Sequence, residues 1–125
     1  MKVLICGSRG INDTAAVLQA VEQSGMVPTH IISGGARGVD RLAHLYARSN
    51  GIDFTEYPAD WDRYGKRAGF LRNYVMVSAA DAVIAVWDGM SAGTRHSIDY
   101  ANSCGKQVFV YLHKGRVSCG IPELT

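Results

Sequence analysis

The sequence predicts an α/β fold of three layers, α/β/α, around a mostly parallel five-stranded sheet. Three observations predict it. Short, fully apolar runs recur along the chain, as strands buried on both faces require. Amphipathic stretches at helical spacing lie between them. The glycines, 14 in 125 residues, gather largely in the turns where these runs end. Strands that alternate with helices imply a parallel sheet with right-handed crossovers and helices on both faces.

The elements follow in order. Val3 to Cys6 is a short apolar strand closed by Gly7. Asn12 and Asp13 can cap a helix whose apolar face is Val17, Leu18 and Val21, and Gly25 ends it in a left-handed cap. His30 to Ile32 is the second strand, broken by Ser33-Gly34-Gly35. Val39, Leu42, Ala43 and Tyr46 predict a helix from Gly38 to about Asn50, with Gly51 closing it. Ile52 to Tyr57 reads as the third strand, stopped by Pro58. The loop from Asp60 leads to a third helix marked by Phe70, Leu71, Tyr74, Val75 and Ser78. Ala82 to Trp87, the most apolar run, is a central strand. A loop from Gly89 to Thr94 precedes a fourth helix to about Ser103, which Gly105 ends, and Gln107 to Tyr111 is the last strand. The order β-α-β-α-β-α-β-α-β is Rossmann-like, and 125 residues fit one domain. The segment from Lys114 reads as an irregular tail.

Composition narrows the function. An apolar fraction of 47% with 19% charged residues is that of a globular chain. A net charge of +2 is too weak to mark a protein that binds nucleic acid through bulk charge. Cys6, Cys104 and Cys119 are widely spaced, with no CxxC or Cys/His cluster, so neither a zinc site nor a disulfide framework is expected. Cys6 reads as a buried thiol. No signal peptide or membrane-length apolar stretch is present, so a cytoplasmic location with no membrane partner is expected.

In an open α/β sheet, ligands bind beyond the carboxyl ends of the strands. The unusual residues fall in the loops on that edge. They are Gly7-Ser8-Arg9-Gly10, Ser33-Gly34-Gly35-Ala36-Arg37-Gly38, Asp60 to Arg67, and Asp88 to Thr94. Three of these combine Gly with Ser, Thr or Arg and run into a helix. Glycine lets backbone N–H groups approach an anion, and the helix N-terminus adds positive potential. The hydroxyls of Ser8, Ser33, Ser91 and Thr94 and the guanidiniums of Arg9, Arg37 and Arg72 complete a phosphate cradle. One such loop says little, because any strand-to-helix turn favours Gly and Ser. Three on one edge, each near an arginine, point to a ligand. Neither a GxGxxG fingerprint nor a Walker lysine is present.

The segment from Asp60 to Asn73 interleaves Arg63, Lys66, Arg67 and Arg72 with Trp61, Tyr64 and Phe70. Such a pattern can clamp a phosphate and stack a base, and it also suits an amphipathic helix with a solvated basic face. Arg72 and Asn73 stand in an otherwise apolar stretch, which favours a functional role. Asp40 suits a helix start, where its charge favours the dipole. Among the histidines, His96 at a helix start is expected to face the site. Ser91 and His96 find no third partner for a nucleophilic triad.

As a set, Gly7-Ser8-Arg9, Ser33 to Asp40, Gly69-Phe70-Leu71-Arg72-Asn73 and Ser91-Ala92-Gly93-Thr94 resemble the SLOG superfamily, in its YspA branch of YpsA-related domains. The resemblance runs from Val3 to about Tyr111. It implies a Rossmann-like fold, found in bacteria and phages, that binds nucleotides or nucleotide-derived ligands of the ADP-ribose type. In the LOG phosphoribohydrolases of this superfamily, a Gly-Gly-x-Gly-Thr-x-x-Glu motif holds phosphate and supplies an acidic catalyst. Gly93 and Thr94 match its Gly-Thr, Ser91 takes the second glycine, Arg72 matches an upstream arginine, and Asn73 replaces the lysine beside it. The glutamate falls on Ser97, which cannot act as a general acid or base. The DprA proteins share the Arg-Asn pair and the early Gly-Ser-Arg and bind single-stranded DNA.

The leading expectation is therefore a sensor or sequestering module for a phosphate-bearing nucleotide derivative, with no cofactor and no metal. Its ligand-binding residues are expected to be Gly7, Ser8 and Arg9, then Ser33, Gly34, Gly35, Arg37, Gly38 and Asp40, then Trp61, Tyr64, Arg72 and Asn73, and finally Asp88, Ser91, Gly93, Thr94 and His96. An alternative is a hydrolase acting on an N-glycosidic or phosphate bond. It needs an acid or base from Asp40, Asp60, Asp88 or His96, with Asp88 first and Arg72 as its companion. A further alternative is single-stranded DNA binding. The superfamily's frequent dimers imply a homo-oligomer, with Met90, Tyr74 or Tyr100 as candidate interface residues.

Overall fold

The computed structural model describes residues 1–113; the tail from Lys114, and Cys119 with it, lie outside the described residues. Five strands form one sheet: β1 (Lys2–Gly7), β2 (His30–Ser33), β3 (Asp53–Glu56), β4 (Ala82–Trp87) and β5 (Gln107–Leu112). Their order is β3-β2-β1-β4-β5 and every pairing is parallel. Four helices cover the sheet: α1 (Thr14–Ser24), α2 (Val39–Ser49), α4 (Ala68–Ala79) and α5 (Ala92–Ser103). A four-residue helix, α3 (Trp61–Tyr64), lies between β3 and α4.

Alternation along the strands sorts the core into two layers. Val3, Ile5, Ile31, Ile84 and Val86 face α1 and α2. Leu4, Cys6, Ile32, Val83 and Ala85 face α4 and α5. Residues Ala82 to Val86 are fully buried, as befits a central strand covered on both sides. Each buried Val or Ile contributes about 1.5–3 kcal/mol relative to exposure. Asp13 caps α1 by accepting from the Ala15 N–H at 3.0 Å, and Gly25 ends it at φ 72°. That cap is worth about 1 kcal/mol.

Two readings change. The expected loop from Asp60 to Arg67 is α3 followed by a 3₁₀ turn, Gly65–Arg67. Asp60 caps α3 by accepting from the Arg63 N–H at 3.1 Å. Because α3 buries none of its residues, no apolar periodicity announces it. The third strand is also shorter than its apolar pattern, because Ile52 and Tyr57 flank the paired residues.

The chain fills one half of the sheet with β1, β2 and β3, then crosses back to β4 and β5 on the other side of β1. The loops after β1 and β4 therefore diverge and open a crevice at the carboxyl edge. Close packing sets its floor. Gly7 pairs with Val86, and a side chain there would strike the Val86 carbonyl and Val39. Gly38, at φ 76°, passes so near the Ser8 and Arg9 carbonyls that no other residue fits. No helix among the described residues is long and apolar enough to cross a membrane.

Candidate functional site

At this crevice lies a cleft of about 380 Å³. Arg9 and Gly10 come from the β1 loop, Ala36 from the loop after β2, Asp40 from the first turn of α2, and Arg72 and Asn73 from α4. Asp88, Ser91, Gly93 and Thr94 come from the β4 loop and the first turn of α5, while Cys6, Gly7 and Met76 form the floor.

The N-terminal end of α5 opens onto the cleft. Ser91 is its N-cap and makes no side-chain cap bond; its hydroxyl instead lies 3.2 Å from that of Thr94. The first-turn N–H groups and the positive end of the helix dipole thus sit at the cleft beside Gly93 and Thr94. Asn73 donates from Nδ2 to the Gly93 carbonyl at 3.4 Å, which ties α4 to this turn.

Arg72 stands opposite. Its Nη1 donates to the Gly34 carbonyl at 2.7 Å, and its Nε is buried with no partner among the described residues. Burial pulls the guanidinium below its ordinary range, against the nearby Asp40 and Glu56 carboxyls, and the Arg9 charge adds to that depression. Two cations converging on one cleft repel, and an anion between them relieves that cost. Asp40 is buried beside Arg72, both against Gly34, and accepts from the Ala36 N–H at 3.1 Å. Desolvation raises its carboxyl above the usual range, and hydrogen bonds from Ala36 and Ser33 oppose this only in part.

Asp88 lines the cleft, yet its Oδ1 already accepts from the Met90 and Ser91 N–H groups, both at 2.8 Å. These bonds hold its carboxyl below the ordinary value, so it is an anion at neutral pH and no proton donor. Ser8 and Ser33 are buried braces. The Ser8 hydroxyl accepts from the Asp88 N–H at 3.0 Å, and the Ser33 hydroxyl donates to the Ile5 carbonyl at 3.0 Å. Gly34 passes beneath Arg72 and Asp40, and Gly35 lies against Glu56. Arg37 is exposed and does not line the cleft.

His96 does not face the cleft, contrary to expectation. Its ring sits between Phe70 at 4.6 Å and Tyr74 at 4.9 Å, on the seam of α4 and α5. The helix turns 100° per residue, so Thr94 and Ser97 share the cleft face while His96 points away. The pair Trp61 and Tyr64 is split. Trp61 borders a side cleft that joins the main one, and Tyr64 borders a separate apolar cleft with Pro58, Leu71 and Val75. Met76 and Ala36 line the cleft and were not anticipated; Glu56, at the end of β3, does not line it but acts on Arg72 through its charge. Among the described residues no group of three or more His, Cys, Asp or Glu side chains is placed to hold a metal. Cys6 is buried in the floor, and its thiol is pushed up to about 12, so it is inert.

Similarity to known proteins adds the family. The model of the YspA, cpYpsA-related SLOG family matches residues 1–64. The chain belongs to this family. The Gene 61 protein of Mycobacterium phage D29 is 40% identical over 116 residues, covering 83% of this chain and 90% of the relative. In fold, the chain is similar to DNA processing protein A (DprA) from Streptococcus pneumoniae, with a TM-score of 0.71 and 21% identity over 87% of this chain. It spans about half of that protein's length, 49%. The SLOG assignment and the α/β fold made from sequence are both borne out.

Proposed function

We propose that the cleft binds a phosphate-bearing nucleotide or nucleotide derivative, and that this SLOG domain senses or sequesters it. One observation carries the reading: the α5 N-terminus, with no side-chain cap, shares the cleft with Arg72, whose buried Nε lacks a partner among the described residues. Backbone donors at a helix start together with a guanidinium favour a phosphate. Arg9 adds a second cation, and Asp40, beside Arg72, is an acceptor for a sugar hydroxyl. A thermal-shift screen against AMP, ADP-ribose, NAD, cyclic ADP-ribose and a short single-stranded DNA tests it. A ligand of the folded state raises the melting temperature by mass action. The reading predicts a shift with a nucleotide that Arg72→Ala abolishes. A shift with DNA alone, falling steeply as salt rises, would replace it with the nucleic-acid reading.

Asp40 favours a second reading, a hydrolase of a nucleotide derivative. A buried carboxyl with a raised pKa in a cleft is a candidate general acid, a role that Asp40 suits better than Asp88, whose carboxyl is lowered. Asp40 would protonate the leaving group as its bond to the sugar carbon breaks and water takes its place, and the proton that the water releases would return the Asp40 carboxylate to its acid form. Product analysis of the bound nucleotide, with Asp40→Asn as control, separates the two readings.

A further inference from the structure

A smaller cleft, of about 180 Å³, opens off the main one. It shares Arg9, Arg72, Asn73 and Gly93 with the main cleft, so the two are lobes of one groove with the arginines at the waist. Its own walls are Trp61, Lys66 and Phe70.

The walls are unusual for a surface. Trp61 is 52% exposed although α3 buries none of its residues, so core packing does not explain this helix. Asp60 nevertheless caps it, and the indole edge lies over Gly69, where no side chain intrudes. Phe70 is steadied from behind by the His96 ring at 4.6 Å. Open aromatic faces beside a lysine and an arginine accept a flat ring that carries negative charge. The main lobe alone is at the small end for a ligand pocket, typically about 300–1,000 Å³.

We propose that this side lobe is the base subsite, and that the ligand is a nucleoside diphosphate or a derivative of one, not a mononucleotide. This rests on the phosphate reading of the main cleft. The base stacks on Trp61. One phosphoryl group lies at the α5 N-terminus with Arg72, and the other lies between Arg9 and Lys66. A substituent on the distal phosphate reaches toward Asp40.

Calorimetric titration of the full chain with AMP, ADP and pyrophosphate tests this, using wild type, Trp61→Ala, Trp61→Phe, Lys66→Ala and Arg72→Ala. Trp61 is exposed, and circular dichroism verifies that each variant is folded. Wild type should bind ADP more tightly than AMP. Trp61→Ala should weaken ADP by about fivefold to a hundredfold, the range of one lost base stack. It should leave pyrophosphate unchanged, and Trp61→Phe should restore most of the loss. Lys66→Ala should weaken AMP and ADP alike, because both carry the proximal phosphate. If Trp61→Ala leaves ADP binding intact while Arg72→Ala abolishes it, the side lobe is not the base subsite and the phosphate cleft stands. Equal weakening of pyrophosphate and ADP by Trp61→Ala would likewise remove the base subsite. If wild type binds none of the three probes, both the side lobe and the phosphate reading fall.

Discussion

Arg72 donates from Nη1 to the Gly34 carbonyl at 2.7 Å, which joins α4 to the loop after β2 across the cleft. One arm of the guanidinium is thus spent on holding the loop, and Nε is buried with no partner among the described residues. A lysine at this position keeps the charge but cannot hold the carbonyl and an anion at once. Arg72→Lys is expected to weaken nucleotide binding at least about tenfold, the worth of one charge-assisted hydrogen bond. Calorimetry on the purified variant checks this, and wild-type affinity would show that Arg72 acts only through its charge.

Gly38 sits at φ 76° against the Ser8 and Arg9 carbonyls. Alanine there meets both a disfavoured backbone and two backbone oxygens that cannot swing aside. Gly38→Ala is expected to lower stability by about 2–4 kcal/mol. Urea unfolding measures it. Gly10→Ala is the control, because nothing stands within 4 Å of a side chain there.

Asp40 should leave a mark on the pH dependence of stability. Burial raises its folded carboxyl above the ordinary value of 3.8, so the native state binds the proton more tightly than the unfolded chain. Its stabilisation is complete below that unfolded value and is lost as pH rises through the folded one. Asp40→Asn does not titrate. The stability of wild type relative to Asp40→Asn should therefore fall across that window, as read by urea midpoints from about pH 3 to pH 7. A constant difference would mean that Asp40 is not desolvated.

Asp88 should show the opposite sign. Its folded carboxyl is depressed by the Met90 and Ser91 N–H groups, so its contribution is present above the unfolded value and lost as pH falls through the folded one. Asp88→Ala removes the acceptor that shapes the turn before α5. It is expected to cost about 1 kcal/mol at neutral pH. It should also weaken ligand binding through a looser α5 start. An unchanged melting temperature and unchanged affinity would remove Asp88 from the site's framework.

Much of the fold and part of the site were legible in the chain. Arg9, Arg72, Gly93 and Thr94 were readable because parallel strands must deliver their following loops to one edge. The strands showed because fully buried runs such as Ala82 to Val86 carry no polar interruption. What escaped depends on direction rather than position. Ser8 and Ser33 stand in the right loops but turn inward, bonding to Asp88 and Ile5. His96 lies two residues from Thr94 and is carried away by the helical turn. Trp61 and Tyr64 looked equivalent, yet they stand beside different clefts. The helix itself was hidden because a single turn that buries nothing has no periodicity to read.

A nucleotide phosphate seated at the start of α5 against Arg72 is the contact on which the binding predictions depend. The most direct test is a nitrogen-15 NMR titration of the full chain with ADP, following the backbone amides of Gly93 and Thr94 and the side-chain Nε–H of Arg72. These three signals should shift most and saturate together. Perturbations elsewhere on the surface that leave all three unmoved, or no perturbation at millimolar ADP, would contradict the phosphate seat.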